Sequence, residues 1–314
     1  MRISKSAISI VIPVFNAKDS LRMLTQEIID TMREEERSFE LILVNDGSSD
    51  NSWLIIEDLA KQNKSIVGIC LMRNYGQHNA LLCGIRAAKY DTVVTMDDDL
   101  QHPPETIQVL LDKLEEGYDV VYGSPLIEKH GLFRDFASLA TKFVLKSVMK
   151  VDTAQYVSAY RAFRTNLRDS FINYLGSTVS IDVLLSWGTS RFGYVKIQHR
   201  DRRFGVSHYT FRKLIQHAMN LITGYTTILL RISSVTGFVF TIFGIIILLY
   251  VLIHYLVMGG VVPGFTFLAS VIAIFSGAQL FALGIMGEYL ARMHFRLMDK
   301  PSYIVYSKAE HDEK

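Results

Sequence analysis

Cysteine is scarce in this 314-residue chain: only Cys70 and Cys83 occur. Two thiols make no disulfide framework, and their spacing matches no metal-binding pattern, so they read as packing residues in a reducing compartment. Charge of one sign is also lacking. A net charge of +2, with no basic tract interleaved with aromatics, speaks against nucleic acid as a partner. No Gly-x-x-x-x-Gly-Lys-Ser/Thr loop is present, which removes P-loop nucleotidases. No Gly-x-Gly-x-x-Gly follows the first strand-like run, which weighs against a dinucleotide dehydrogenase. Internal repeats and low-complexity segments are missing too. Met1–Lys5 leads straight into a strand-like run with no signal-peptide pattern, so the front of the chain is expected to stay in the cytosol.

The largest absence is local. Between Arg231 and Glu288 there is no Lys, Arg, Asp or Glu. A bilayer core of about 30 Å needs roughly 20 apolar residues per helix, so the stretch holds two spans and a turn. Met258-Gly259-Gly260 and Pro263-Gly264 supply the turn, predicting helices over about Ser233–Val257 and Phe265–Met286. The competing reading is a pair of buried helices in a soluble protein. Arg212, Lys213 and Arg231 precede the hairpin, and Arg292, Arg296 and Lys300 follow it. Positive charge on both flanks puts both ends on the cytoplasmic side of a cell (inner) membrane. Tyr209–Arg231 mixes Phe211, Leu214, Ile215 and Met219 with Arg212, Lys213 and His217, as an interfacial amphipathic helix would. The expected divisions are a catalytic domain over 1–208, a juxtamembrane helix over 209–232, two membrane helices over 233–290 and a cytosolic tail over 291–314. Nothing decides between a monomer and a homo-oligomer, and both stay open.

Ahead of the membrane the chain alternates. Ile8–Val14 is a continuous apolar run suited to a buried parallel strand. Helical periodicity follows from Ser20 to about Glu36. Then come a strand at Leu41–Val44, a helix at Asn51–Gln62, a strand at Ile66–Met72, a helix at Gln77–Lys89 and a strand at Thr92–Met96. Pro104–Glu116 reads as a helix opened by proline, and Asp119–Tyr122 as a fifth strand. This pitch predicts a doubly wound α/β sheet, whose ligands bind beyond the carboxyl ends of its strands.

Polar residues stand at those ends: Pro13-Val14-Phe15-Asn16, Asn45-Asp46-Gly47-Ser48-Ser49-Asp50, Arg73-Asn74-Tyr75-Gly76-Gln77 and Asp97-Asp98-Asp99-Leu100-Gln101-His102. Any one such loop is ordinary turn and cap chemistry. Four of them converging on one sheet edge make a site. Asp97, Asp98 and Asp99 end a buried strand, where mutual repulsion raises their pKa values unless a cation sits among them. In an extended segment Asp97 and Asp99 share a face and Asp98 points away. Two carboxylates on one face, with Gln101 two residues on, suit Mg²⁺ or Mn²⁺ shared with substrate phosphates.

These four segments, with Pro103-Pro104-Glu105, resemble the family-2, GT-A-fold glycosyltransferases, and within them the polyprenyl-phosphate branch that includes bactoprenol glucosyltransferases and dolichol-phosphate mannosyltransferases. The likeness continues through Gly205-Val206-Ser207-His208-Tyr209 and Gly284-Ile285-Met286-Gly287-Glu288-Tyr289-Leu290-Ala291-Arg292. The resemblance implies that Pro13, Phe15 and Asn16 line a nucleotide pocket and that Asp46 accepts a hydrogen bond from the base imide. It places Arg73 and Gln77 near a nucleotide-sugar donor, and gives the metal–diphosphate to Asp97, Asp99 and Gln101. Asp98 stands where the family more often has a small residue, and is a second-tier candidate for the donor site. Ser207 and Tyr209 match a segment that contacts the acceptor phosphate, with His208 where lysine is usual. Asp152, ahead of Ser158-Ala159-Tyr160-Arg161, falls in the zone of the family's proposed base, at a longer spacing.

A lipid monophosphate is largely a dianion at neutral pH, so its attack on an anomeric carbon needs cations more than a base. Arg134, Arg202 and Arg203 are the candidates. The resemblance implies inversion, a donor base of uridine over guanosine, and UDP-glucose or a related UDP-sugar as donor. A processive polysaccharide synthase of the same fold is the alternative. It would carry Gln-x-x-Arg-Trp, whereas Trp53 and Trp187 are not preceded by arginine. A non-catalytic scaffold that binds nucleotide sugars is the other, and the intact Asp97 and Asp99 speak against it.

Overall fold

The computed structural model describes residues 6–126, 145–149, 151–176, 179–200, 223–258, 264–298 and 300–311. They fall into two compact units, Met1–Ala218 together with Lys300–Lys314, and Met219–Asp299.

The first unit is built on the apolar runs. β1 (Ile8–Val14) is buried along its whole length. It lies between β2 (Phe39–Asn45) and β4 (Thr92–Thr95), with β3 (Ile66–Leu71) outside β2 and all four parallel. Continuous Val/Ile/Leu runs fit strands covered on both faces. α1 (Leu21–Glu34), α2 (Ser52–Gln62), α3 (Gln77–Ala87) and α4 (Ile107–Glu115) are the connecting helices. The helix expected at Pro104–Glu116 begins as a 3₁₀ turn, Pro104–Thr106. Pro13 is tolerated inside β1 because pairing with β4 ends at Val11↔Thr95, so its missing N–H interrupts no ladder.

Past β4 the sheet departs from a doubly wound parallel order. Among the described residues eight strands run β7-β5-β6-β4-β1-β2-β3-β8. β6 (Arg161–Arg164) lies antiparallel between β4 and β5 (Val120–Pro125), and β7 (Phe192–Ile197) runs parallel to β5. The fifth strand expected at Asp119–Tyr122 is therefore real but does not neighbour the fourth. A buried ion pair secures this half: Arg161 of β6 meets Asp182 of α5 (Ile181–Gly188), and Tyr122 Oη of β5 donates to the same carboxylate at 3.0 Å. β8 (Val305–Ala309), from beyond the charge-free stretch, pairs antiparallel with β3 and closes the far edge.

The second unit holds α6 (Ile228–Met258) and α7 (Phe265–Leu297). They contain apolar spans of 27 and 21 residues, Ile228–His254 and Ile274–His294, neither buried within the chain. At 1.5 Å per residue each crosses about 30 Å. Core helices of a soluble protein would be covered, so that reading is overturned. The protein is a multi-pass membrane protein with a soluble N-terminal domain. Within the unit Phe240 meets Phe275 edge to face, centroids 5.6 Å apart, and Tyr289 Oη donates to Thr226 O at 2.7 Å. α6 already begins at Ile228, inside the range expected for the juxtamembrane helix.

Candidate active site

Because β1, β2, β3 and β4 are parallel, their carboxyl ends share one edge, and the four polar loops meet there. Hydrogen bonds join them in a closed ring. Phe15 N–H donates to Asp98 Oδ2 at 3.1 Å, tying the first loop to the fourth. Asn16 N–H donates to Ser48 Oγ at 3.0 Å, and Asn16 Oδ1 accepts from Ser49 N–H at 2.8 Å, tying the first to the second. Asp46 takes the backbone N–H groups of Tyr75 (2.7 Å) and Gly76 (2.8 Å), one on each oxygen, tying the second to the third. Gln77 Nε2 donates to Asp97 Oδ1 at 2.7 Å, tying the third back to the fourth.

The backbone is bent to make these contacts. Among the described residues three non-glycine residues have left-handed φ, and two are in the ring: Asn16 (54°) and Leu100 (63°). Such conformations cost of order 1 kcal/mol or more and persist where the surroundings enforce them. Gly47, at φ 66°, passes so close to the third loop that a Cβ would sit 2.5 Å from Arg73 C and Asn74 N. Only glycine fits there.

The carboxylates differ in setting. β4 stops at Thr95, so 97–99 are not the extended segment expected from the sequence, and strand alternation does not govern them. Burial pushes the Asp98 carboxyl up to about 7, with Asp97 and Asp99 adding and the Phe15 N–H opposing. Asp46, 3% exposed, is likewise raised by burial, against the pull of its two backbone donors. Asp99 Oδ1 accepts from Gln101 N–H at 3.1 Å. Among the described residues no three His, Cys, Asp or Glu side chains form a metal cage. The donor set expected from the sequence is two carboxylates and an amide, beside a third, half-buried acid. Mg²⁺ and Mn²⁺ are commonly held by one or two carboxylates when substrate phosphates complete the shell, so these residues fit such an ion.

Of the other expected site residues, Pro13 is buried in β1, while Phe15, Asn16, Arg73 and Gln77 are exposed at the edge. The Arg73 guanidinium lies over the Tyr75 ring, 4.7 Å from its centroid. Asp152 opens a 3₁₀ turn, pairs with Lys146 at 2.9 Å with its side chain 95% exposed, and takes no part in the ring. Arg134, Arg202, Arg203, Ser207 and Tyr209 lie outside the described residues.

Two supports went unread in the sequence. His102, 5% exposed, accepts the Asp97 N–H on Nδ1 at 3.1 Å. Burial, with Arg161 adding and Asp99 opposing, pushes its pKa down to about 4. Arg200 N–H donates to Gln101 O at 2.9 Å, and its guanidinium pairs with Glu27 (2.7 Å) and Glu105 (2.8 Å). A histidine in an acidic loop and an arginine after an apolar strand are the only traces either leaves in sequence.

Residues 9–174 match the model of glycosyl transferase family 2. An undecaprenyl-phosphate 4-deoxy-4-formamido-L-arabinose transferase of Proteus mirabilis (strain HI4320) is 34% identical over 301 residues, 95% of this chain and 92% of that protein. A protein of the same name from Shewanella sediminis (strain HAW-EB3) is 35% identical over 301 residues, 95% of this chain and 91% of its own length. Among solved structures, glucosyl-3-phosphoglycerate synthase of M. tuberculosis superposes with a TM-score of 0.51 over 70% of this chain and 79% of that one, at 18% identity. That last likeness is one of fold.

Proposed function

This chain belongs to glycosyl transferase family 2, in its polyprenyl-phosphate branch, and from that premise we propose that it transfers a sugar from a UDP-sugar to a polyprenyl phosphate at the cytosolic membrane face, with inversion and with a divalent cation. The observation that carries the proposal is the closed ring of four loops, which gathers every described donor-site candidate at one sheet edge.

In this reading the first unit is a GT-A domain. Pro13, Phe15 and Asn16 line the nucleotide pocket beside Arg73. Asp46 meets the base imide with the acceptor capacity that its two backbone bonds leave, since each carboxylate oxygen accepts more than one hydrogen bond. Asp97, Asp99 and Gln101 would hold Mg²⁺ or Mn²⁺ against the donor diphosphate, where such an ion offsets the charge gathering on the departing UDP. Gln77 orients Asp97, and Asp98 anchors the first loop through Phe15. A phosphate oxygen of the acceptor bonds to the anomeric carbon as the bond from that carbon to the UDP oxygen breaks. The dianion needs little general-base help, so Asp152 has at most an accessory part. Arg134, Arg202, Arg203, Ser207 and Tyr209 are assigned to the acceptor phosphate.

UDP-glucose is the first donor to test, and the formamido-arabinose sugar named in the relatives, as its UDP derivative, is the second. The test incubates purified full-length protein in nanodiscs with a panel of UDP- and GDP-sugars, undecaprenyl phosphate and Mn²⁺. Organic-extractable, lipid-linked sugar from one UDP-sugar is expected. Release of UDP without lipid-linked sugar across the panel would overturn the proposal.

A further inference from the structure

The last sheet hydrogen bond of the fourth strand is Met96 N–H to Val11 O, at 3.3 Å. One residue later the Asp97 N–H, which faces the opposite side, has left the ladder, because β4 and β6 pair no further than Thr95↔Arg161. A backbone donor withdrawn from water must find an acceptor, and it finds His102 Nδ1 at 3.1 Å, five residues on. This bond closes the 97–102 loop from behind. Leu100, left-handed at φ 63° and 2% exposed, plugs the same loop into the core.

The imidazole is held on several sides. It stacks on Tyr160, centroids 5.0 Å apart at 15°, and meets His199 edge-on at 5.0 Å and 79°. Tyr160 is itself pinned, its hydroxyl bonding Thr106 Oγ1 (3.0 Å) and Pro103 O (3.3 Å). An Nδ1 that accepts carries no proton, so the ring proton sits on Nε2. At 5% exposure and with Nδ1 engaged, the ring is ill placed to move a proton for substrate.

We propose that His102 is a positioning residue: its Nδ1 fixes the Asp97 main chain, so that the Asp97 carboxylate is held from behind by His102 and in front by Gln77. The part this plays in cation binding rests on the function proposed above; the loop-holding part does not. A residue supporting a metal ligand typically changes metal affinity about 10–100-fold when removed.

The test uses full-length protein in nanodiscs and three variants. His102→Asn keeps an acceptor near the Nδ1 position, His102→Gln places its amide nearer to where Nε2 lies, and His102→Leu fills the space without any acceptor. Amide hydrogen exchange at Asp97 is read without cation or substrate. Protection is expected in wild type and His102→Asn, and its loss in His102→Leu and His102→Gln at a temperature where each variant is still folded. Calorimetric titration with Mn²⁺ in the presence of UDP then reads affinity. A fall of about tenfold or more is expected in His102→Leu and His102→Gln, and near wild-type binding in His102→Asn. Equal Mn²⁺ affinity in all four proteins, or Asp97 protection that persists in folded His102→Leu, would overturn the inference. Wild-type protein that binds no Mn²⁺ with UDP would instead defeat the functional reading, and exchange alone would then decide what His102 does. If His102→Leu does not fold, the Asn and Gln pair carries the comparison.

Discussion

Asp97 and Asp99 flank a carboxyl that burial and their own charge hold near 7, and the three have different work. Asp97→Asn or Asp99→Asn is expected to lower transfer at least about 100-fold with little change in melting temperature, because in the proposed function the lost oxygens would serve substrate phosphates and not the core. Chelator should abolish wild-type activity, and Mn²⁺ should restore it; full turnover in excess chelator would contradict the assignment. Asp98 carries a different signature. Its folded pKa of about 7 lies above the ordinary 3.8, so the folded state binds the proton more tightly and loses stability as pH rises from about 4 through 7. Cation-free Asp98→Asn should lack that loss and melt higher than wild type at pH 8, the two converging near pH 4. Away from the site, burial pushes the Cys83 thiol up to about 11. At pH 8 its thiolate fraction is on the order of one in a thousand, so native protein should resist iodoacetamide at Cys83 until denaturant is added.

At the scale of elements, what could be read from the sequence divides at Tyr122. The first four strands are unbroken apolar runs, and the rule that ligands sit beyond parallel strand ends led from them to the four loops. Which loop bonds to which could not be read, since Phe15–Asp98 and Asp46–Tyr75 depend on strand order. β6 has arginine at both ends of four residues, Arg161–Arg164, and so shows no apolar run. β8 is an edge strand of exposed and half-buried residues, indistinguishable by pattern from a tail. Gly47 was legible only as a turn residue; its contact with the Arg73–Asn74 backbone is a tertiary fact. Gly47→Ala should cost about 1–3 kcal/mol and raise the donor KM, and an unchanged KM would show that the second and third loops are not coupled. β8 also ties the residues after the membrane helices to the sheet of the first unit. Met72 N–H donates to Ile304 O at 2.9 Å, next to the third loop, and Ser302 Oγ donates to Gly176 O at 3.2 Å. A chain stopped after Lys300 should lose about 2 kcal/mol, which lowers the melting temperature by about 4–8 °C. Calorimetry of the two proteins in one detergent checks this.

At the scale of the whole molecule, the sheet contains residues from both sides of the membrane helices. β3 and β8 are neighbours, so the chain must leave and return to the same side, as two crossings allow and one would not. Positive residues on both flanks of the spans put that side in the cytosol. A polyprenyl phosphate is the acceptor suited to a soluble nucleotide-sugar site tied to a bilayer, because its headgroup lies at the surface while its chain stays in the membrane. The proposed function turns on a single in-line displacement onto that phosphate. NMR of the purified lipid product reads that step, by coupling of the anomeric proton to phosphorus and to its neighbouring ring proton. The expected product has the sugar bonded through its anomeric carbon to the lipid phosphate, with configuration opposite to the donor's. A product that retains the donor's configuration, or whose anomeric proton shows no phosphorus coupling, would contradict it.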